Sequence, residues 1–343
     1  MGNAKRVGIR QIANALSLST CTVSRILNDK LGGAKYREET IARVRNKAAE
    51  LGYRPNLVAR SLVSGSTRTL GLCVGDIANP MFAEFTAHFE RAAMGAGYAT
   101  FTCNIGEDPA TEIKYVDMLL SRGVDALVVS PATADVADMI SRAAARGCRV
   151  VLFDRAPAEP AVSTVLVDNR AAMKGLAARA LALGHTRVGV ITGSPDDAAL
   201  VARLEGVRDA VREAGLDAAR ALATTPPLST TVEAGAEGMR VLWAERPRPT
   251  FVLALANVLS LGGLSAAREL GILLGEELSF AGFDDFPGAT LMRPQVTVVA
   301  QPVRELAEAC AQLACTEPGG EVSHQVLKTT LHWRASVQPI GAT

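Results

Sequence analysis

Residues 68–103 read RTLGLCVGDIANPMFAEFTAHFERAAMGAGYATFTC and contain one complete strand–helix–strand pattern. The apolar run Thr69–Val74 has the length of a buried strand, and Ala99–Cys103 is a second run of the same kind. Between them, Met81–Gly95 carries apolar residues at helical spacing. This order predicts a βαβ unit, and repeated units of this kind form parallel sheets that helices cover on both faces.

The same alternation continues towards the end of the chain. Further strand-like runs occur at Ala126–Val129, Val150–Phe153, Val165–Val167, Val188–Ile191, Thr250–Ala254, Ser279–Phe283 and Val296–Val299. The alternating region is more than 270 residues long, which is too long for a single sheet. We therefore expect two doubly wound lobes that divide near Thr164. A cleft between two such lobes, beyond the carboxyl ends of the strands, is a natural ligand site.

The first fifty residues have a different pattern and predict three short helices. Ile9, Ile12 and Leu16 recur at helical spacing, and a second helix begins after Ser19, a residue type favoured at helix N-caps. A third helix spans about Glu38 to Leu51 and ends at Gly52. Two short helices joined by a tight turn, with a third that closes the core, are typical of a helix-turn-helix unit.

Charge is distributed unevenly between these two regions. The whole chain has a net charge of +1, but residues 1–68 contain 13 Lys+Arg and 4 Asp+Glu, whereas residues 69–343 contain 23 and 31. A basic N-terminal region on an acidic body predicts a polyanionic partner for the first region.

Other features narrow the class of protein. The six cysteines and four histidines show no metal-ligand spacing, and no phosphate loop, zinc-protease motif or nucleophile elbow is present. The first ten residues lack a secretory-signal core, and no apolar run reaches the roughly 18–20 residues that span a bilayer. We therefore expect a cytoplasmic protein with reduced thiols, no metal, no cofactor and no enzymatic activity.

Motifs along the chain resemble the lactose-repressor (LacI-type) family of bacterial transcription regulators. They occur in that family's order and are Ile9-Arg10-Gln11-Ile12-Ala13, Thr22-Val23-Ser24-Arg25-Ile26-Leu27-Asn28, Leu51-Gly52-Tyr53-Arg54-Pro55-Asn56, Ala59-Arg60-Ser61-Leu62, Asp76-Ile77-Ala78-Asn79-Pro80-Met81-Phe82, Phe153-Asp154-Arg155, Val167-Asp168-Asn169, Leu183-Gly184-His185, Arg203-Leu204-Glu205-Gly206 and Ala281-Gly282-Phe283-Asp284-Asp285. The resemblance implies an α/β protein with a three-helix helix-turn-helix head, a hinge helix and two doubly wound parallel-sheet lobes of the periplasmic-binding-protein-like kind.

The resemblance also implies domain boundaries. The expected boundaries are 1–55 for the helix-turn-helix domain, 56–67 for the hinge helix and linker, and 68–343 for the effector-binding and dimerisation domain, with an N-lobe of about 68–164 and 297–325 and a C-lobe of about 165–296 and 326–343.

The resemblance places base contacts on the second helix, at Thr20, Cys21 and Arg25. Arg25 can donate two hydrogen bonds to guanine, although contact with a phosphate is the alternative. Ser24 and Arg54 are expected to contact the DNA backbone.

The hinge has a matching interpretation. The segment of residues 56–62 is too short to form a stable helix alone in water. The resemblance implies that it folds on operator DNA, with Asn56 and Ala59 at the DNA and Leu62 as a wedge in the minor groove. Burial of Leu62 within the linker is the alternative.

In the body, the resemblance implies an effector site. Phe82 would pack on the ligand; the alternative is that it belongs to the core. The four polar candidates would bind hydroxyls or charged groups of the ligand; the alternative is that they make structural hydrogen bonds or salt bridges. These polar candidates are Asp154, Arg203, Asn257 and Asp284. Arg203 offers a planar fork of donors that suits hydroxyls or a carboxylate.

Three positions depart from the family's pattern. Val258 stands where an acidic residue usually binds sugar hydroxyls, which weakens the expectation of a polyhydroxylated ligand held in the usual way. The segment Asp29–Glu39 is about three residues longer than the compact form and predicts a basic loop near DNA. Ser17 occupies the turn position where glycine is common.

These features together predict a ligand-responsive transcription regulator. It would act as a repressor of a carbohydrate or small-metabolite utilisation operon and bind a near-palindromic double-stranded operator as a homodimer. Its effector would be a sugar, sugar acid or nucleoside-like molecule. The alternatives are a cytoplasmic small-molecule receptor without DNA regulation, a solute-binding receptor that serves a transporter, and a doubly wound enzyme.

Overall fold

The computed structural model describes residues 7–28, 36–53, 65–106, 108–133, 135–226, 229–316 and 320–341. The chain divides into two compact units, Met1–Thr67 and Arg68–Thr343, which we call the head and the body.

The described part of the head contains the helices α1 Ile9–Leu16, α2 Thr20–Leu27 and α3 Glu38–Glu50. Their apolar faces meet in a small core that includes Ile12, Ala13, Val23, Ile26, Val44 and Ala48. The turn after α1 is tight because Ser17 adopts the left-handed conformation, with φ of 56°. Oγ of Ser19 then accepts a hydrogen bond from the backbone N of Thr22 at 3.0 Å and caps α2.

The N-lobe of the body is built on one parallel sheet. Its strands are β1 Thr69–Val74, β2 Ala99–Asn104, β3 Ala126–Val129, β4 Arg149–Phe153, β5 Ser163–Val167 and β11 His324–Leu327, and its helices are α4 Pro80–Gly95, α5 Pro109–Ser121, α6 Ala137–Ala144 and α12 Val303–Cys315. The strand order is β2-β1-β3-β4-β5-β11. Apolar side chains alternate between the two faces of this sheet, so that Leu72 packs with Phe85 of α4, whereas Leu127 packs with Leu119 of α5.

The C-lobe repeats this architecture. Its strands are β6 Val188–Ile191, β7 Leu222–Thr224, β8 Phe251–Ala254, β9 Ser279–Phe283, β10 Thr297–Ala300 and β12 Thr330–His332, and its helices are α7 Asn169–Ala182, α8 Ala198–Glu213, α9 Ala218–Ala221, α10 Val232–Ala244 and α11 Asn257–Glu269. The strand order β7-β6-β8-β9-β10-β12 matches that of the N-lobe, except that β12 runs antiparallel to β10. The helices pack in close pairs because glycines lie at the contacts: Gly206 of α8 faces the backbone of α7, and Gly262 of α11 faces that of α10.

The expected lobe boundaries need correction. The division near Thr164 cuts through β5, which pairs with β4 in the N-lobe, and the expected N-lobe segment 297–325 includes β10, which pairs with β9 in the C-lobe. The chain passes between the lobes after β5, after β10 and after β11. The error has a physical reason: β5 and β10 are both short apolar runs, and only the hydrogen-bonded register decides which sheet each one joins.

Candidate functional site

The second helix of the head presents the predicted base-contacting residues on one exposed surface. Thr20, Cys21 and Arg25 of α2 are exposed, whereas Val23 and Ile26 are buried in the head core. Cys21 and Arg25 are one helical turn apart and therefore share a face. This face does not take part in the core of the head, so its side chains are accessible to a groove of DNA.

Ser24 and Arg25 are held by neighbours within the head. Nδ2 of Asn28 donates to the backbone oxygen of Ser24 at 2.8 Å and to its Oγ at 3.3 Å. A side-chain hydrogen bond with Tyr36 raises the pKa of Arg25, so its guanidinium is charged. The remaining DNA-contacting candidates, Arg54, Asn56, Ala59 and Leu62, lie outside the described residues and stay predictions.

The effector cleft lies at the carboxyl ends of the two sheets, where open α/β folds bind ligands. β4 and β9 occupy equivalent places in their sheets, and each ends in a Phe-Asp pair, Phe153-Asp154 and Phe283-Asp284. Both aspartates adopt a left-handed backbone conformation, with φ of 64° and 69°. Residues other than glycine rarely do so, and such strain is concentrated at functional sites. The two lobes thus bring one aspartate each to the same cleft.

An aromatic cluster forms the N-lobe wall of the cleft. The Phe82 and Phe153 rings pack edge to face with centroids 6.2 Å apart, and Phe85 stacks on Phe153 at 4.0 Å. Phe82 is only 2% exposed. In this arrangement of the lobes, the Phe82 ring therefore packs within the N-lobe wall.

An ion-pair bridge joins the lobes at Arg155. Its Nε lies 3.3 Å from Oδ2 of Asp154 in its own lobe and 3.4 Å from Oδ2 of Asp197 in the C-lobe. Asp197 is held in place because its Oδ1 caps α8, accepting from the backbone N of Ala199 at 2.8 Å. Oγ of Ser130 also donates to Asp154, at 3.1 Å. The bridge therefore rests on groups fixed within each lobe.

A second contact crosses the cleft between two asparagines. Nδ2 of Asn257, the first residue of α11, donates to Oδ1 of Asn79 at 2.7 Å. Asn79 is the N-cap of α4, and Asn257 is fully buried. Two helix N-termini, one in each lobe, thus meet through their side chains.

Arg203 forms the C-lobe wall. Its Nε donates to Oδ1 of Asn169 and its Nη1 to the backbone oxygen of Leu255, both at 2.8 Å. Its guanidinium lies 3.5 Å from the ring centroid of Phe283. A guanidinium has five N–H groups, so three remain without an acceptor in the part of the chain that the structure describes. Arg203 is therefore positioned to donate to a ligand.

Asp284 is a buried carboxyl group of the cleft. Burial raises its pKa, and the nearby carboxylate of Asp154 acts in the same direction, whereas the Arg203 guanidinium and a 2.7 Å hydrogen bond from Nε2 of Gln301 oppose the rise. The net pKa is raised. The cleft thus combines carboxylates that accept hydrogen bonds with guanidinium groups that donate them.

The structure brings all five predicted effector residues into this region. It adds five polar residues that sequence analysis did not assign to the site: Asn79, Arg155, Asn169, Asp197 and Gln301. The sequence could have indicated three of them. Arg155, Asn169 and Gln301 lie one or two positions after the carboxyl end of a strand, which is where open α/β folds place ligand-binding residues. Val258 is half-buried on α11 directly after Asn257.

No metal site accompanies the cleft within the described residues, where no group of three or more His, Cys, Asp or Glu side chains could hold an ion. None of the described helices is long and apolar enough to cross a membrane.

A helix-turn-helix head on a two-lobed body with a polar cleft defines the class of ligand-binding DNA regulators. Comparison with known proteins agrees. Residues 177–337 match the family described as a periplasmic binding protein-like domain. The HTH-type transcriptional repressor PurR of Vibrio atlanticus is 30% identical over 302 residues, which are 87% of this chain and 88% of that protein.

Solved structures agree as well. A LacI family transcriptional regulator from Enterococcus faecium, crystallised with bound ribose, has a TM-score of 0.72 and 25% identity over 79% of this chain and 99% of that one. The lac repressor dimer bound to operator and the anti-inducer ONPF has a TM-score of 0.85 over 97% and 100% of the two chains, and at 21% identity it shows the fold. This chain belongs to the LacI-type family of bacterial transcription regulators. It is a ligand-responsive DNA-binding regulator.

Proposed function

We propose that this protein represses a carbohydrate utilisation operon, binds a near-palindromic operator as a homodimer, and changes its operator affinity when a neutral monosaccharide of about the size of ribose binds between the lobes. The observation that carries the proposal is the cleft itself. Arg203 has donors to spare there, with Asp154 and Asp284 close by as acceptors.

Charge favours a neutral polyol over a sugar acid. The cleft holds the carboxylates of Asp154, Asp197 and Asp284 against the guanidinium groups of Arg155 and Arg203. An anionic ligand would add a fourth negative charge in a buried space, which is costly without a new cation. Hydroxyl groups donate to carboxylates and accept from guanidinium groups, so a polyol satisfies both kinds of group at once.

Size and aromatic packing favour a monosaccharide over a nucleoside. A base needs an open aromatic face to stack on, but Phe82 packs against Phe153, and Phe283 lies against the Arg203 guanidinium. The cross-lobe bond between Asn79 and Asn257 also holds the two lobes close together. The ribose in the Enterococcus relative supports the same class of effector.

On the DNA side, Arg25 would read guanine, Thr20 and Cys21 would contact neighbouring base edges, and Ser24 would contact phosphate. We extend the same assignment to the hinge, where Leu62 would enter the minor groove. The operator-bound dimer of the lac repressor supports this mode of binding. Ligand closure would couple to the operator through the dimer with a free energy of about 1–3 kcal/mol.

The effector class can be tested by calorimetric titration of the full-length protein with D-ribose, D-ribonate and adenosine. Ribose should bind, and Arg203→Ala should abolish its binding while operator affinity survives. Asp196→Asn is a control for a substitution outside the cleft and should bind ribose normally, because Asp196 is exposed and makes none of the cleft contacts. Ribonate binding in place of ribose would refute the neutral class.

The regulator function can be tested by selecting binding sites from a random DNA pool and measuring affinities by fluorescence anisotropy. A palindromic site should emerge, and its affinity should fall steeply between about 50 and 200 mM salt. Arg25→Ala should cost about 1–3 kcal/mol and relax the preference at one base pair per half-site. A protein without sequence preference at any salt would instead be a small-molecule receptor.

A further inference from the structure

A buried glutamate of the N-lobe, Glu112, takes no part in the cleft contacts described above. It lies in the first turn of α5 and is only 7% exposed, the one buried glutamate among the residues that the structure describes. A carboxylate is rarely buried unless neighbouring groups stabilise its charge. The groups around Glu112 therefore indicate its role.

The Glu112 carboxylate holds the turn that follows β3. Its Oε2 accepts a hydrogen bond from the backbone N of Ala132 at 2.5 Å. A second bond fixes the start of this turn, because the backbone N of Ser130 donates to the backbone oxygen of Cys73, in β1, at 3.0 Å. Pro131, between them, has no N–H to donate. The turn is therefore anchored to α5 at one end and to β1 at the other.

This turn carries a contact to the effector cleft. Oγ of Ser130 donates to Oδ2 of Asp154 at 3.1 Å, and Ser130 is only 1% exposed. Asp154 is the N-lobe aspartate of the cleft, held in a left-handed backbone conformation. A displacement of the turn would therefore weaken a hydrogen bond on a carboxylate that we assign to effector binding.

Arg155 interacts with the same glutamate. Burial raises the pKa of the Glu112 carboxyl group, whereas the N–H of Ala132 and the positive charge of Arg155 oppose the rise. Arg155 also contacts Asp154 within the N-lobe. Glu112 is therefore linked to Asp154 in two ways, through the turn and through the Arg155 cation. Of the two, the hydrogen bond fixes position more closely, because it is short and directional.

We propose that Glu112 is a positioning residue of the effector site. Through its hydrogen bond to Ala132 it holds the turn that follows β3, so that Ser130 keeps the Asp154 carboxylate in the orientation that accepts a hydroxyl group of the effector. Glu112 acts on the effector only through these neighbours. This inference rests on the proposed function, in which a neutral monosaccharide binds between the lobes.

Two conservative variants separate the hydrogen bond from the charge. Glu112→Asp keeps the charge but withdraws the carboxylate by about 1.5 Å, which takes it out of hydrogen-bond range of Ala132. Glu112→Gln removes the charge but keeps a side-chain oxygen for the same N–H. In calorimetric titration of the full-length protein with D-ribose, Glu112→Asp should lose at least about fivefold in affinity, and Glu112→Gln less than about twofold.

Glu305→Asp is the matched control. Glu305 also lies in the first turn of an N-lobe helix, α12, but it is exposed. The same substitution there should leave the ribose affinity equal to that of the unaltered protein. Melting temperatures of all variants verify folding.

A double-mutant cycle with Ser130→Ala tests whether Glu112 acts through the turn. Ser130→Ala removes the hydrogen bond to Asp154, so the addition of Glu112→Asp should weaken ribose binding by less than about a further twofold. A glutamate with a merely structural role would weaken binding by the same factor in both backgrounds. The same cycle is measured without ligand by urea denaturation, where Glu112→Asp should lower the midpoint less in the Ser130→Ala background.

The proposal is overturned if Glu112→Asp binds ribose normally, if Glu112→Gln or Glu305→Asp loses as much affinity as Glu112→Asp, or if the effects of Glu112→Asp and Ser130→Ala multiply. An unaltered protein that does not bind ribose would instead refute the proposed effector class. The urea cycle then decides the role of Glu112, and midpoint losses that add in full overturn it.

Discussion

Asp197→Asn removes the charge at one end of the cross-lobe bridge and keeps the cap of α8. An asparagine side-chain oxygen caps a helix about as well as a carboxylate does, so the backbone N of Ala199 retains its acceptor. Arg155 also retains Asp154 within its own lobe. The substitution therefore weakens the contact between the lobes and leaves the contacts within each lobe in place.

The magnitude follows from the geometry of the bridge. Nε of Arg155 lies 3.4 Å from Oδ2 of Asp197, and their side chains are only 8% and 9% exposed. At an effective dielectric of about 20, the gross attraction at that distance is about 5 kcal/mol. Desolvation of both groups offsets most of it. Contacting residues typically couple by about 0.5–3 kcal/mol, and the burial of this pair places our expectation at about 1–3 kcal/mol.

A double-mutant cycle measures this coupling energy directly. The free energy of unfolding is obtained by urea denaturation for the unaltered protein, Arg155→Met, Asp197→Asn and the double variant. Arg155→Met should be the more destabilising single change, because it leaves two buried carboxylates without their cation. Asp196→Asn, one residue away and exposed, should leave stability within about 0.5 kcal/mol of the unaltered protein.

A coupling energy below about 0.5 kcal/mol would refute the reasoning, since the two side chains would then act independently. The reasoning would also be refuted if Asp196→Asn lowered the free energy of unfolding as much as Asp197→Asn does. The loss would then come from the change in local charge and not from the bridge.

Three further predictions concern the turn of the head, helix packing and pH. Ser17→Gly should stabilise the head by about 1 kcal/mol because glycine adopts a positive φ without the strain of a side chain; hydrogen exchange of head amides measures this, and Ser17→Ala should bring no gain. Gly262→Ala should destabilise the body by about 1–3 kcal/mol or more in urea denaturation, because its methyl group would overlap the backbone oxygen of Val232. Because the folded state raises the pKa of Asp284, the stability from its protonation is present at low pH and is lost as the pH rises through that raised value. Asp284→Asn, which keeps an acceptor for Gln301, should therefore raise the melting temperature at about pH 8, with a difference that shrinks towards about pH 4, while ribose affinity falls. A melting-temperature difference that grows on acidification would contradict the assigned cause.

The strand-like runs along the chain predicted most of the body's strands, because a fully buried parallel strand must be apolar at nearly every position. Val150–Phe153 is an example: it lies within β4, which the structure extends by one residue to Arg149. The lobe boundaries were wrong at β5 and β10, because an apolar run does not encode which sheet it joins.

For the cleft, the sequence predicted residues that stand directly after strands, such as Asp154 and Asp284. It did not predict Arg155 as a bridge between the lobes, because its partner Asp197 is 42 residues away and caps a helix in the other lobe. It also did not predict that Asn79 and Asn257, 178 positions apart, would hydrogen-bond.

The sequence by itself determined the two kinds of module, a basic three-helix head and an alternating α/β body, because charge and hydrophobic periodicity are local properties of the chain. Only the tertiary structure decided which polar residues face one another across the cleft between the lobes. These contacts form between segments that are far apart in the chain. They depend on the three places where the chain passes from one lobe to the other.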